Sequence, residues 1–154
     1  MKIKNFIIAI AIPLAVGGLS AFLSKEGMTA YNINTIKPSF SPPDILFPIV
    51  WTILYVLMGI SSYIVYESDS PNREKALKSY VIQLIFNFGW SIIFFRFMMF
   101  LPAFLWLVVL ILLIINMIFN FYTINKTSGL LQIPYLLWCL FASYLNFSVY
   151  LLNR

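Results

Sequence analysis

Residues 102–124, PAFLWLVVLILLIINMIFNFYTI, run for 23 positions without one charged side chain. Wound as an α-helix at ~1.5 Å per residue they reach about 35 Å, enough to cross the ~30 Å hydrocarbon core of a bilayer. Working outward, four further apolar runs of similar length appear at residues 5–24, 45–66, 79–100 and 129–152. Turn-forming residues separate them: Pro42 and Pro43 before the second run, Ser70-Pro71-Asn72 before the third, Pro102 at the start of the fourth, and Thr127-Ser128-Gly129 before the fifth. The pattern predicts an all-α membrane protein, a single domain over 1–154 built as a five-transmembrane-helix bundle, with a long first loop over residues 25–43.

Composition requires the same solvent. Of 154 residues, 62% are hydrophobic and 10% charged, and the mean hydropathy is +0.92. Soluble domains carry about 25% charged residues, so this chain lacks the polar surface that water demands. The first run, behind Lys2 and Lys4, also fits a signal peptide cleaved near Ser20 or Ala21. A retained helix accounts for its length and for Ala11, Ala15 and Gly18, which form a small-residue packing face.

Charge and residue counts exclude several classes of function. The formal charge of +5 is scattered between the apolar runs, unlike the basic stripe of a nucleic-acid binder. With no His and one Cys, Cys139, the chain lacks the raw material for zinc sites, His-ligated haem, disulfides and His-based triads. No expected span holds an interior Lys, Asp or Glu, and Arg96 lies near a span end; coupled ion transport and carboxylate acid–base catalysis are therefore disfavoured. Lys and Arg divide six against four between the two sides, favouring a cytoplasmic N-terminus and an outer first loop. Richness in Ile, Asn, Lys and Phe suggests an AT-rich bacterial genome and hence a plasma membrane.

The polar residues inside the runs are neutral: Gln83, Asn87 and Ser91, then Asn116 and Asn120, then Asn146. Their helical spacing predicts stripes that face the bundle interior, where they either bond neighbouring helices or serve a ligand. Aromatic residues form matching faces: Trp51, Tyr55 and Met58; Trp90 and Phe94 beside Asn87 and Ser91; Tyr135 and Trp138 beside the small Ala142. A cleft walled by indoles and floored by amides suits a flat, mostly apolar ligand without any metal. Trp106, near a helix start, reads as an interfacial belt residue. The first loop, with Tyr31, Ile33, Ile36 and Phe40, reads as a lid over one mouth of the bundle, or as an interfacial loop anchored by its aromatics.

Several motifs are more specific. Lys37-Pro38-Ser39-Phe40-Ser41-Pro42-Pro43, followed by Phe47, Val50-Trp51, Leu54-Tyr55 and Met58-Gly59, resembles the first loop and second helix of the tryptophan-rich sensory protein (TspO) and translocator-protein family. Gln83-Leu84, Asn87, Trp90-Ser91 and Phe94-Phe95 resemble its third helix; Pro134-Tyr135, Trp138, Phe141-Ala142 and Leu145-Asn146 resemble its fifth. The resemblance implies a pocket beneath the first loop for protoporphyrin-type tetrapyrroles and benzodiazepine-site ligands, often in a homodimer. In some bacterial members it also implies porphyrin degradation under light and oxygen, with no resident cofactor. The ligand-binding set expected on this basis is Tyr31, Lys37, Pro42, Trp51, Tyr55, Asn87, Trp90, Ser91, Phe94, Tyr135, Trp138 and Ala142.

Within that set, the resemblance gives Trp51 and Trp138 the role of flanking, oxidisable indoles, Asn87 that of a hydrogen-bonding partner, and Ala142 that of leaving room. Charge adds Lys37 as a contact for a propionate. Two departures weaken stacking from the loop: Phe40 stands where the family usually has Trp, and Tyr31 lacks a neighbouring Trp. Leu145, Tyr150 and Arg154 satisfy only the loose sterol pattern, so tight sterol binding is not expected. A carrier of porphyrin or another apolar metabolite, and a structural or partner-binding membrane subunit, are the competing functional readings.

Overall fold

The computed structural model describes residues 2–154 and is α-helical throughout its regular structure. Five segments are long and apolar enough to cross a membrane: Ile3–Asn34, Leu46–Tyr66, Arg73–Arg96, Phe100–Ile124 and Lys126–Asn153. We label the helices α1 (Ile3–Asn34), α2 (Leu46–Tyr66), α3 (Arg73–Ser91, continued by a π-helical turn Ile92–Arg96), α4 (Phe100–Ile124), the short α5 (Lys126–Leu130) and α6 (Ile133–Asn153). α1 packs on α2 and on α3 with its π-turn, α3 packs on α4, and α4 packs on α6. The core is a column of buried Leu54, Met58, Leu84, Leu107, Leu110, Ile114, Met117 and Phe121.

Helix ends depart from the hydropathy pattern for identifiable reasons. α1 does not stop at Ser24 but continues ten residues to Asn34, so the loop shrinks to residues 35–45. Lys25, Glu26 and Asn32 are too polar for lipid, yet nothing in this segment breaks a helix, and at ~1.5 Å per residue α1 reaches about 48 Å and stands clear of the hydrocarbon. Tertiary contacts hold the extension down: Arg96 Nη1 donates to Leu23 O just before it at 3.4 Å, and within it the Tyr31 ring packs 5.3 Å from Phe94 and from Phe95. α3 begins six residues before Ser79, because its charged first turn, exposed at the surface, still winds as helix. It ends early with the π-turn, and Met98, in the connection beyond it, takes a left-handed φ of 52° on the way into α4.

Glycine permits a close helix crossing. A Cβ on Gly59 would lie 2.6 Å from Ile10 Cα and 2.8 Å from Ala9 O, so α2 meets the α1 backbone directly. Ala9 sits four residues before Pro13, whose ring nitrogen cannot donate the usual helical bond.

Two expectations about buried polar and aromatic residues are corrected. Asn116 is exposed and Asn120 half-buried; with Pro71, Glu74, Lys75, Lys78, Ser79 and Ile82 they line a groove between α3 and α4 instead of the bundle interior. Core positions on α4 are filled by Leu107, Leu110, Ile114, Met117 and Phe121, which leaves the Asn pair on a flank. Trp106 is a helix-packing residue and not a belt anchor: its indole N–H donates to Phe86 O at 2.7 Å and its ring stacks 4.5 Å from Phe86.

Candidate functional site

A cavity of about 460 Å³ opens among α1, α2, α3, α4 and α6 at the end where the first loop crosses. Its volume falls within the ~300–1,000 Å³ of small-molecule sites. Trp51, Tyr55, Asn87, Trp90, Ser91, Phe94, Trp138 and Ala142 all line it, as does Tyr31 near the mouth. Helical spacing explains the convergence: Trp51 and Tyr55 lie one turn apart on α2, Asn87, Trp90, Ser91 and Phe94 on successive turns of α3, and Trp138 and Ala142 one turn apart on α6.

The walls are mutually braced rings. Trp51 stacks on Tyr55 at 5.6 Å, and Trp90 stacks on Phe94 at 5.2 Å. Trp138 meets Phe47 edge-on at 5.7 Å. Phe94 and Phe95, adjacent in the π-turn after Ser91, both line the cavity. On the α1 side the wall is thin, with Gly17, Gly18 and Ala21; a side chain at Gly17 would collide with the Tyr55 ring.

The floor is a directed hydrogen-bond chain. Tyr55 Oη donates to Asn87 Oδ1 at 2.7 Å, Asn87 Nδ2 donates to Tyr135 Oη at 2.8 Å, and Tyr135 Oη donates to Gln83 Oε1 at 2.7 Å. Each partner lies on a different helix from the one before it, so the chain ties α2, α3 and α6 together beneath the cavity. Asn87 retains one N–H and one lone pair for a ligand. The Trp90 indole N–H is committed to Asn146 Oδ1 at 3.0 Å, and Asn146 Nδ2 donates to Phe100 O at 2.9 Å. Trp138 differs: its Nε1 is buried without a protein acceptor, leaving a donor at the cavity wall. Ser20 and Ser91 hydrogen-bond across the α1–α3 contact.

Three expected site residues stand outside the cavity wall. Tyr135 lies below it as the middle of the floor chain. Lys37 is held by Asn32 Oδ1 at 2.8 Å and Asp44 Oδ1 at 3.4 Å, with its ammonium 5.1 Å from the Tyr31 ring centre. Pro42 belongs to the covering loop and not to the lining. The loop is strapped to α6, because Ile36 N–H donates to Asn153 Oδ1 at 2.9 Å while Asn153 Nδ2 donates to Ile36 O at 2.8 Å. Phe40 packs outward on Tyr144 at 5.0 Å and Phe141 at 6.4 Å. Lining residues without a warning signal in the sequence include Ser20, Asp44, Leu107 and Leu110. The last two lie in a run so uniformly apolar that no cavity-facing stripe stands out.

Among the described residues there is no cluster of His, Cys, Asp or Glu fit to hold a metal ion. The fold defines a multi-pass α-helical membrane protein with an internal cavity lined by aromatic side chains. The sequence matches the TspO/MBR family over residues 9–152, and the chain belongs to that family. It is 38% identical to the tryptophan-rich protein TspO of Archaeoglobus fulgidus over 153 residues, 99% of each chain. The corresponding protein of Chlorobaculum tepidum is 36% identical over 154 residues, covering 99% of this chain and 98% of the relative. The human translocator protein is 33% identical over 138 residues, 85% of this chain and 79% of the relative.

Proposed function

We propose that the protein is a membrane receptor or sensor whose cavity binds flat tetrapyrroles of the protoporphyrin IX type, and benzodiazepine-site ligands in the same space. The observation that carries this reading is the convergence of Trp51, Trp90 and Trp138 with Asn87 on one largely apolar cavity closed by a strapped loop. Ring stacking contributes about 0.5–1.5 kcal/mol per contact beyond area burial, so several indoles can hold a macrocycle without a metal ligand. Trp138 Nε1 and the remaining valences of Asn87 supply polar contacts that orient it. Lys37 stays within the loop, and a propionate reaching the mouth would compete with Asp44 for its ammonium.

Two indoles at the wall also favour a second activity, photo-oxidative degradation of the porphyrin, with the excited ligand and oxygen supplying the oxidant. The membrane in question is the plasma membrane, with the N-terminus cytoplasmic by the Lys and Arg distribution, and the working unit is a homodimer.

The test is titration of protoporphyrin IX into purified protein, in the dark and then under illumination, with Trp51→Phe and Trp138→Phe alongside. Saturable quenching or a spectral shift in the dark is expected, with slower degradation in both variants under light. Absence of any saturable signal would remove the binding proposal, and degradation at the wild-type rate in both variants would remove the indole role.

A further inference from the structure

Asn116 and Asn120 are unexplained by the cavity. They project from the flank of a helix whose mid-section otherwise exposes apolar side chains suited to lipid, Leu105, Val108, Val109, Leu112 and Phe119. An amide facing acyl chains has no partner there, and polar side chains persist in that setting only where something answers them. The Asn120 amide nitrogen is sealed from solvent with no protein acceptor.

The groove they line is about as large as the aromatic cavity, about 460 Å³, and carries charge from the facing helix. Lys75 and Lys78 lie one turn apart on α3, and neither makes a salt bridge to a described residue. Facing the same space are one acid, Glu74, and the Ser79 hydroxyl, which donates to Ala76 O at 2.6 Å. The donors therefore outnumber the acceptors, and cations outnumber acids by two to one.

Depth narrows the occupant. At ~1.5 Å per residue, Asn120 lies about 6 Å and Asn116 about 12 Å from the Ile124 end of α4, while Lys78 lies about 7.5 Å from the Arg73 end of α3. α3 and α4 are antiparallel neighbours, so these ends share one membrane face, with Lys75 outermost, Lys78 and Asn120 at similar depth, and Asn116 deepest. Arg73 and Lys126 add positive charge at the same end.

We propose that this groove binds the headgroup of an anionic phospholipid, with the phosphodiester held by Lys75, Lys78 and the Asn120 amide. Asn116 meets the glycerol–ester region, and the lone acid, Glu74, accepts from headgroup hydroxyls. Attraction of basic residues to anionic lipid at the bilayer surface is general; the amide pair on the facing helix turns it into a site.

The test uses the full chain in mixed micelles containing phosphatidylglycerol, phosphatidylcholine or inorganic phosphate, read by native mass spectrometry and thermal unfolding. Phosphatidylglycerol is expected to remain bound and to raise the unfolding midpoint by several degrees over phosphatidylcholine. Inorganic phosphate at millimolar concentration should give no comparable protection. Lys75→Gln/Lys78→Gln and, separately, Asn120→Leu should reduce the bound phosphatidylglycerol at least fivefold while leaving porphyrin titration of the aromatic cavity unchanged. Equal retention of the two lipids by wild type would overturn the proposal, as would protection by free phosphate alone. It would also fail if the variants shifted the monomer–dimer balance regardless of lipid, which would assign the groove to a second copy of the chain.

Discussion

Replacing Tyr135 with Phe deletes one oxygen from a fully enclosed site and breaks two bonds. Tyr135 is 1% exposed, and its hydroxyl accepts from Asn87 Nδ2 while donating to Gln83 Oε1. The variant orphans a buried donor on one side and a buried acceptor on the other. Hydrogen bonds between membrane helices average about 0.6 kcal/mol and reach about 1.7 kcal/mol, whereas orphaned buried groups cost ~1–3 kcal/mol in proteins generally. Two such losses amount to about 1–3 kcal/mol, a fall of roughly 3–10 °C in midpoint for a chain of this size.

Cys139 supplies the assay, because it is the only cysteine and fully buried. A thiol-reactive fluorogenic dye reports unfolding in micelles without an added label. Tyr55→Phe should cost less, since it orphans only the Asn87 carbonyl, and buried carbonyls tolerate missing partners better than amide donors do. A Tyr135→Phe midpoint within 1 °C of wild type, or above it, would refute the continuous floor chain.

Other consequences follow from single contacts. Asn153→Ala removes both bonds that strap the loop to α6, and at about 1 kcal/mol of lost restraint ligand dissociation should accelerate roughly fivefold in stopped-flow measurements. Gly59→Leu forces a side chain into the α1 backbone at Ala9 and Ile10, so thermal unfolding should show a loss of at least about 2 kcal/mol, while Gly18→Ala, with open space around its Cα, should be nearly neutral. Trp106→Phe keeps the stack on Phe86 but loses the bond to its carbonyl, and a midpoint drop of a few degrees is expected with porphyrin affinity unchanged.

What the sequence made legible follows from which signals are local. Apolar runs near bilayer length marked all five spans, and i, i+3, i+4 spacing marked the aromatic faces, because both depend on short stretches of chain. Helix ends were less legible. Residues 25–34 look like loop by polarity, yet Tyr31, Gly27 and Arg96 make contacts across the bundle that keep them helical, and such contacts carry no local signature. The Asn116 and Asn120 stripe has the same spacing as Gln83 and Asn87. Which of two such stripes faces inward is decided by the neighbours each helix packs against, and α4 fills its inward face with Leu107, Leu110 and Ile114. Lys37 shows the same limit: its charge suggested a ligand contact, while the fold supplies Asp44 and Asn32 first.

The account rests on the claim that a tetrapyrrole occupies the space between Trp51 and Trp138 above Asn87. A structure of the protein grown in lipid with a bound metalloporphyrin, its metal located by anomalous scattering, addresses that claim directly. The account predicts the metal inside the cavity, within ring-contact distance of both indoles and beneath the loop that Asn153 ties down. A metal found against the outer, lipid-facing surface of the bundle, with the cavity side chains unmoved, would contradict it.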